Sequence, residues 1–278
     1  MDGRSGTEEV AYAKINLALH VRAREPDGYH RIETLFAFAE DGDILRVGPG
    51  DGLRLRIHGP FAGALGEDED NLVLRAARAL AEACGAREGA ALLLEKRLPV
   101  AAGIGGGSAD AAAALRALNR FWEIGLGKGE LAEIGRSLGA DVPACVLSRT
   151  AVGTGRGDRL EPTEPPGLKG MPILLVNPAA ALSTARVFES WTGGGGGALP
   201  DDWRDGRNDL EGPAMALAPP IGDLLDALRR QDGASAVRMS GSGATCFALF
   251  ETDSERDHAA AAIKTANPGW WQLPSRIR

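Results

Sequence analysis

The sequence predicts an α+β protein of two domains. Its 278 residues exceed the usual size of a single domain. Residues 11–58 contain several stretches that alternate apolar and polar side chains, which is typical of strands. The second half mixes short strands and helices in an order that favours an antiparallel sheet covered by helices. Prolines are concentrated at residues 161–172, and we predict domains at 1–163 and 164–278.

Composition argues against several classes of protein. The formal net charge is −7, which disfavours a nucleic-acid partner. No run of 18 apolar residues occurs, so we expect no membrane partner. The three cysteines, Cys84, Cys145 and Cys246, are far apart and form no CxxC pair, which disfavours a disulfide framework or a zinc site. This cysteine usage predicts a cytoplasmic protein.

The N-terminal half is predicted to be rich in strands. Residues 11–22 alternate strictly and predict a half-buried strand, with Lys14, Asn16 and His20 on the polar face. Further strands are expected at 32–39, 43–47 and 53–58. A helix is expected after Asn71, ending near Gly85, followed by a strand at 91–96.

The remaining elements follow from the same signals. Helices are predicted at 108–122, 129–138, around Phe188, from a capped start at 208–211, at 221–230 and at 254–265. Residues 151–160 are predicted to form a turn between strands, and a strand is expected at 172–176. Residues 237–250 should form two strands joined by a Gly-Ser-Gly loop, and a short strand is expected at the C-terminus. The five glycines at 193–197 indicate a flexible loop or linker.

A glycine-rich segment is the strongest signal of a binding site. Gly103, Gly105, Gly106 and Gly107 lie just ahead of a helix predicted to begin at Ser108. Glycine permits a close backbone approach and positive φ, and a helix N-terminus favours phosphate. The Ser108 hydroxyl could reach a phosphate oxygen or its Mg²⁺. The alternative is a mobile loop with Ser108 as an ordinary N-cap.

Two common phosphate loops fit this segment poorly. A Walker A loop requires GxxxxGK[ST], and no lysine follows these glycines. A dinucleotide fingerprint requires GxGxxG behind the first strand, whereas Ser108 takes the third glycine position and the segment lies far into the chain. The loop therefore does not favour a nicotinamide dehydrogenase.

Five segments resemble the GHMP kinases. Residues 99–109, PVAAGIGGGSA, resemble their phosphate loop, and the other matches are AKINL at 13–17, DGYH at 27–30, GADVP at 139–143 and GSGA at 241–244. The match extends over about residues 11–252. Within the superfamily, the segments most resemble those of members that phosphorylate cytidine-diphosphate methylerythritol. Ala101 and Ala102 depart from the pattern, since members often have glycines there, and the glycine run at 193–197 is not a recognised family feature.

This resemblance implies a fold, a reaction and two cofactors. It implies a two-domain α+β GHMP-kinase fold with the active site in the cleft between domains. ATP, with Mg²⁺, would phosphorylate the 2-hydroxyl of the cytidine-diphosphate methylerythritol in the non-mevalonate isoprenoid pathway. The expected state is a monomer or weak homodimer with small-molecule partners only, and the resemblance assigns no metal ligands.

The resemblance also implies two catalytic residues. Asp141 would take the hydroxyl proton, and Lys14 would hold Asp141 ionised and contact the transferring phosphate. Each has a structural alternative: Lys14 could be a solvated lysine on a strand face, and Asp141 could be the N-cap of a helix starting at Val142-Pro143.

The implied binding residues fall into two groups. The nucleotide group consists of Pro99, Val100, Ala101, Ala102, Gly103, Ile104, Gly105, Gly106, Gly107, Ser108 and Ala109, with Asn71 and Lys96 facing the adenine. The substrate group consists of Asn16, Tyr29, His30, Thr184, Phe188, Ser240, Gly241, Ser242 and Gly243. In this group, the rings of Tyr29 and Phe188 and the imidazole of His30 would contact the cytosine.

Structural alternatives remain for several of these residues. Asn71 could be a helix cap, Lys96 an exposed strand lysine, Phe188 a core residue and 240–243 a plain hairpin turn. Two other functions also remain open. Another small-molecule GHMP kinase would share the loop but lack the 27–30 turn, and a catalytically silent nucleotide-binding module would lack the Lys14 and Asp141 pair.

Overall fold

The computed structural model describes residues 6–66, 70–85, 89–193 and 197–278. The strands in these ranges are β1 (Thr7–Arg24), β2 (His30–Gly48), β3 (Leu53–His58), β4 (Ala90–Glu95), β5 (Ala151–Gly155), β6 (Arg159–Pro162), β7 (Pro172–Asn177), β8 (Ala236–Met239), β9 (Cys246–Leu249) and β10 (Trp271–Arg276). The α-helices are α1 (Leu72–Cys84), α2 (Gly106–Phe121), α3 (Lys128–Arg136), α4 (Val142–Leu147), α5 (Thr184–Glu189), α6 (Glu211–Leu217), α7 (Pro220–Arg229) and α8 (Asp253–Ala266).

Internal contacts divide the chain into two compact units. The first comprises the described parts of residues 1–13, 41–100 and 105–148, and the second comprises those of 14–40, 101–104 and 149–278. Both units are therefore discontinuous in sequence. The division into 1–163 and 164–278 remains a prediction.

The first unit combines a small sheet with four helices. β3 pairs in parallel with β4, and β4 pairs antiparallel with the end of β2. Helix α2 packs against α1, α3 and α4. Its residues Ala111 to Ala114 are fully buried, because alanine allows other elements to approach the helix closely on several sides. The beginning of this buried helix is consequently held firmly in place.

The second unit is built around a sheet in the order β10-β7-β9-β8. All three pairings in it are antiparallel, as the sequence predicts. Every residue of β7 and β9 is buried. Apolar residues of α6, α7 and α8, among them Leu224, Leu228 and Ile263, form one cluster with these strands. The start of β2 pairs with β5, and β5 pairs with β6. The loop between β8 and β9 carries residues 240–245.

Three predictions of secondary structure need correction or remain open. The stretches at 32–39 and 43–47 form the single strand β2, because residues 40–42 continue the extended backbone. β1 is not half-buried, since Lys14, Asn16 and His20 are buried along with the apolar face. In the glycine run, residues 194–196 lie outside the described ranges.

Among the described residues, no helix has the length and apolar character required to cross a bilayer.

Candidate active site

The glycine-rich loop passes directly into helix α2. Gly105 is the N-cap, in a left-handed conformation with φ 61°, and the helix begins at Gly106. Ser108 is therefore not the N-cap, and it lies in the first turn with Gly106 and Gly107. The first N–H groups of a helix have no acceptor within it, so this turn is suited to binding an anion.

Gly106 does not have a positive φ, whereas other positions in the glycine-rich loop do. Gly103 has φ 77°, and a Cβ there would lie 2.5 Å from the carbonyl oxygen of Ser240, so only glycine fits. Ala101 has φ 53° although it carries a side chain. A left-handed residue of this kind costs about 1 kcal/mol, and a glycine at this position would avoid that cost.

The turn at 240–243 does more than connect two strands. The Ser240 hydroxyl donates to the carbonyl oxygen of Gly103 at 3.0 Å and accepts from the backbone N–H of Asn16 at 3.1 Å. The N–H of Thr245 donates to the carbonyl oxygen of Ala102 at 3.1 Å. These bonds fix the middle of the glycine-rich loop, which a plain hairpin turn would not do.

The side chain of Lys14 is buried and oriented by a chain of hydrogen bonds. Only 4% of Lys14 is exposed, so the solvated alternative is wrong. Its Nζ donates to Asn16 Oδ1 at 3.1 Å, and Asn16 Nδ2 donates to Thr34 Oγ1 at 2.8 Å. The Thr34 hydroxyl donates in turn to the carbonyl oxygen of Ala18 at 2.6 Å.

The Lys14 ammonium also lies 4.5 Å from the centre of the Phe36 ring, within the range of a cation–π contact. Sequence reasoning missed Thr34 and Phe36. Thr34 could have been noticed as a hydroxyl directly before the apolar run at 35–39 of β2.

Asp141 immediately precedes α4. It occupies the N-cap position with a helical backbone, φ −84° and ψ −16°, and its side chain makes no capping hydrogen bond. Its carbonyl oxygen accepts from the N–H of Cys145 at 3.0 Å, which continues the helical pattern. The carboxylate is half-buried and does not perform the capping role that was the structural alternative.

The turn before β2 presents Tyr29. Gly28 has φ 87°, and the N–H of Tyr29 donates to Asp27 Oδ1 at 3.1 Å, which closes the turn. The Tyr29 ring is 57% exposed, and the Arg156 guanidinium lies 3.7 Å from its centre. Arg156 also forms an ion pair with Asp27. Arg156 is therefore a residue that sequence reasoning missed, and it holds this turn from the β5–β6 connection.

His30 lies in an aromatic cluster. Its ring centre is 5.0 Å from that of Phe188 and 5.7 Å from that of Trp191. Burial, and then the charge of Arg24, lower the pKa of His30, so the imidazole is neutral at pH 7. Its Nε2 is buried without a hydrogen-bond partner in the described part of the chain. Such an atom suits the polar edge of a ligand.

The other residues predicted to bind the substrate are grouped near the 240–243 turn. Thr184, the first residue of α5, and Ser242 have their hydroxyl oxygens 2.8 Å apart. A Cβ on Gly241 would lie 2.8 Å from the carbonyl oxygen of Gly103. Asn208, which sequence reasoning missed, donates from Nδ2 to the carbonyl oxygens of Met239 and Gly241, both at 2.8 Å.

Asn71 and Lys96 have clear structural roles. Asn71 caps α1, with Oδ1 accepting from the N–H of Val73 at 2.9 Å, as the capping alternative predicts. Lys96 is only 1% exposed, so the alternative of an exposed lysine is wrong. Its Nζ donates to Asp43 Oδ2 at 2.5 Å and to Asp110 Oδ2 at 2.7 Å. Their contacts with adenine remain predictions.

Each compact unit holds part of the predicted site. The first contains Asn71, Lys96, residues 105–109 and Asp141. The second contains Lys14, Asn16, His30, residues 101–104, and the groups at 184–188 and 240–243.

Comparison with known families agrees with this geometry. The family described as GHMP kinases N terminal domain matches residues 71–149, and GHMP kinases C terminal matches residues 193–269. A Rhizorhabdus wittichii protein named 4-diphosphocytidyl-2-C-methyl-D-erythritol kinase is 56% identical, with 97% of this chain and 94% of that protein covered. A protein of the same name from Novosphingobium aromaticivorans is 50% identical, with 97% and 92% covered.

Solved structures lead to the same family. A crystal structure of 4-(cytidine 5'-diphospho)-2C-methyl-D-erythritol kinase is 35% identical, with a TM-score of 0.83 over 97% of this chain and 98% of that one. Homoserine kinase from Cytophaga hutchinsonii, 18% identical with a TM-score of 0.73 over 100% of this chain and 96% of that one, shares the fold. Because relatives at high identity cover nearly the whole sequence, this chain belongs to the 4-diphosphocytidyl-2-C-methyl-D-erythritol kinase family of GHMP kinases.

Proposed function

We propose that this chain transfers the γ-phosphoryl group of ATP to the 2-hydroxyl of 4-diphosphocytidyl-2-C-methyl-D-erythritol, in the non-mevalonate isoprenoid pathway. The observation that carries the proposal is the buried, unpartnered Nε2 of His30 beside the Phe188 ring. Family membership at 56% identity supports the same substrate. The enzyme is then a phosphotransferase with an alcohol acceptor.

The acceptor base binds at the aromatic cluster. The Phe188 ring provides a face for stacking, and the neutral His30 provides a ring nitrogen for the polar edge of cytosine. Tyr29, exposed and held by Arg156, adds a second aromatic face. A pyrimidine satisfies this combination better than an aliphatic alcohol does, because an alcohol has no ring to stack.

The triphosphate of ATP binds at the first turn of α2 and the glycine loop, residues 99–109. Backbone N–H groups at Gly106, Gly107 and Ser108 belong to the first turn of the helix and are available to an anion there, and the helix dipole favours negative charge. Asn71 and Lys96 are proposed on the adenine side.

Mg²⁺ would accompany ATP and neutralise charge on the phosphates. An oxygen donor that suits Mg²⁺ is available in the Ser108 hydroxyl. The described residues contain no cluster of three or more acidic, histidine or cysteine side chains that could hold a metal.

Transfer requires one proton acceptor and one fixed positive charge. As the 2-hydroxyl oxygen bonds to the γ-phosphorus, its proton passes to the Asp141 carboxylate, and the bond from that phosphorus to the β–γ bridging oxygen breaks to release ADP. Lys14 stabilises the charge on the transferring group. Its orientation through Asn16 and Thr34 prepares the ammonium before substrate binds.

An ADP-release assay with several alcohols tests this function. Turnover of 4-diphosphocytidyl-2-C-methyl-D-erythritol should exceed turnover of homoserine, galactose and mevalonate. Equal or better turnover of any of these three would favour another small-molecule GHMP kinase instead.

The Asp141→Asn variant provides the internal control. We expect it to fold and bind ATP while kcat falls by about 100-fold or more, since a proton acceptor is lost. Near-normal turnover would remove Asp141 from the mechanism. ATP binding without turnover of any alcohol by the unaltered protein would favour a silent nucleotide-binding module.

The cytoplasmic location and the monomeric or weakly dimeric state also remain predictions.

A further inference from the structure

Three charged side chains are buried together in the first unit. Asp43 is fully buried, and Lys96 and Asp110 are almost so. The Lys96 ammonium lies between the two carboxyl groups, at 2.5 Å from Asp43 Oδ2 and 2.7 Å from Asp110 Oδ2. We call these residues the Lys96 triad. None of them except Lys96 has a role in the function proposed above.

The triad joins the two ends of the phosphate loop. At the upstream end, Asp43 Oδ1 accepts the backbone N–H groups of Arg97 at 2.6 Å and Leu98 at 2.8 Å. At the downstream end, Asp110 lies on α2, in the turn that follows Gly106. Lys96 connects the two carboxyl groups, so Leu98 and the start of α2 are held in a fixed relation.

The triad also lies directly beneath the first turn of α2. A Cβ built on Gly106 would be 3.2 Å from Lys96 Nζ and 4.0 Å from Asp43 Oδ2. The backbone of the first turn of α2, which is proposed to bind the phosphates, therefore packs against the Lys96 ammonium. A side chain at residue 106 would separate the two.

Stability alone does not account for this arrangement. Taking charges out of water is costly, and buried ion pairs are often no better than apolar residues of similar volume. Asp110 Oδ1 is moreover buried without a hydrogen-bond partner in the described part of the chain. An arrangement that specifies one backbone geometry explains these buried charges better than a contribution to folding does.

The charge of the triad suits an anion-binding site above it. Burial raises the pKa of Asp110 to about 8, with Asp43 adding to the rise and Lys96 opposing it. Asp110 therefore binds a proton more readily than a free aspartate does, which limits the negative charge that the triad places beneath the phosphates of ATP.

We propose that Asp43, Lys96 and Asp110 are positioning residues that lock both ends of the phosphate loop in the geometry that binds ATP. This inference rests on the proposed function only in requiring that the loop bind ATP. Its consequence is that breaking the triad weakens nucleotide binding and leaves the site for the cytidylyl substrate unaffected.

Calorimetric titration with Mg²⁺-ATP, without any acceptor alcohol, tests the proposal. Asp110→Ala removes the downstream connection and leaves the Lys96–Asp43 pair, so we expect the dissociation constant for ATP to rise about fivefold or more. Asp110→Asn keeps an oxygen facing Lys96 and should restore binding to within about twofold of the unaltered protein. Glu133→Ala, which removes an exposed acidic residue of α3 paired with Arg136, is the matched control and should leave binding unchanged.

Thermal unfolding separates positioning from stability. If Asp110→Ala lowers the melting temperature but binds ATP normally, the triad is only structural and the proposal is wrong. If that variant does not fold, Asp43→Asn replaces it, since it retains an oxygen for the N–H groups of Arg97 and Leu98 but presents an amide to Lys96. Normal ATP binding by Asp43→Asn would overturn the proposal equally.

The outcome also distinguishes the two proposals. Should the unaltered protein fail to bind ATP, the proposed function fails, and the role of the triad fails with it. Should the unaltered protein and Asp110→Ala bind ATP equally, only the role of the triad fails.

Discussion

Replacing His30 with phenylalanine isolates the contribution of one ring nitrogen to substrate recognition. Phenylalanine keeps an aromatic ring beside Phe188 and Trp191, whose centres lie 5.0 and 5.7 Å from the His30 ring. It removes Nε2, which has no hydrogen-bond partner among the described residues. The packing should therefore be largely preserved while the polar contact is lost.

The size of the effect follows from burial. His30 is 9% exposed, so a cytosine edge that loses this partner has little water to replace it. A buried polar group left unsatisfied costs about 1–3 kcal/mol, and 1.4 kcal/mol corresponds to about tenfold in affinity. We expect KM for the cytidylyl substrate to rise about tenfold in His30→Phe. His30→Ala should raise it further, because the aromatic contact contributes about 0.5–1.5 kcal/mol more.

Steady-state kinetics with each substrate varied in turn provides the assay. KM for ATP should change by less than about twofold in both variants. His258→Ala is the matched control, since His258 is exposed on α8 and should affect neither constant. An unchanged KM for the cytidylyl substrate in His30→Phe would refute the role of Nε2. A raised KM for ATP alone would assign His30 to the nucleotide side.

Three further predictions concern the phosphate loop and the Lys96 triad. Gly107 does not have a positive φ, and a Cβ there would lie 3.4 Å from Leu72 Cδ1, so Gly107→Val should change the melting temperature little. The added side chain should block the approach of phosphate to the backbone of the first turn, and ATP binding should be lost. Normal ATP binding by calorimetry would contradict the phosphate site. Gly106→Val should also destabilise the fold, because its Cβ approaches Lys96 Nζ. Asp110, with its pKa raised to about 8, binds a proton more tightly in the folded chain, so its contribution to stability is lost as pH rises towards 8. As the pH rises from 5 to 8, urea unfolding should show the free energy of unfolding of Asp110→Asn increasing relative to that of the unaltered protein. A difference that stays constant over this pH range would contradict the prediction.

Local elements could largely be predicted from the sequence. The cap at Asn71, the left-handed Gly85 and the span of α8 follow from interactions between residues only a few positions apart. The start of α2 was predicted two residues late. Gly106 and Gly107 carry a low helix propensity, and the left-handed Gly105 rather than a serine hydroxyl begins the helix.

The family could also be recognised from the sequence alone, because its motifs are short segments that can be identified by residue type. Residues that support those motifs were missed when they lay outside them. Thr34, Trp191 and Asn208 act through contacts with distant segments, and single-strand periodicity carries no information about such contacts. Arg156 was missed for the same reason, since its partner Asp27 lies 129 positions away.

The sequence by itself determined the α+β class, the glycine loop, the family and the identity of Lys14 and Asp141 as candidates, since these depend on residue type and local order. Tertiary structure decided which charges are buried and what they bind. Alternation placed Lys14 and Asn16 on a polar face that folding then covered, and Lys96 resembled an exposed strand lysine. Its partners, Asp43 and Asp110, are 53 and 14 positions away, and only the packing of β2, β4 and α2 brings them within hydrogen-bond distance.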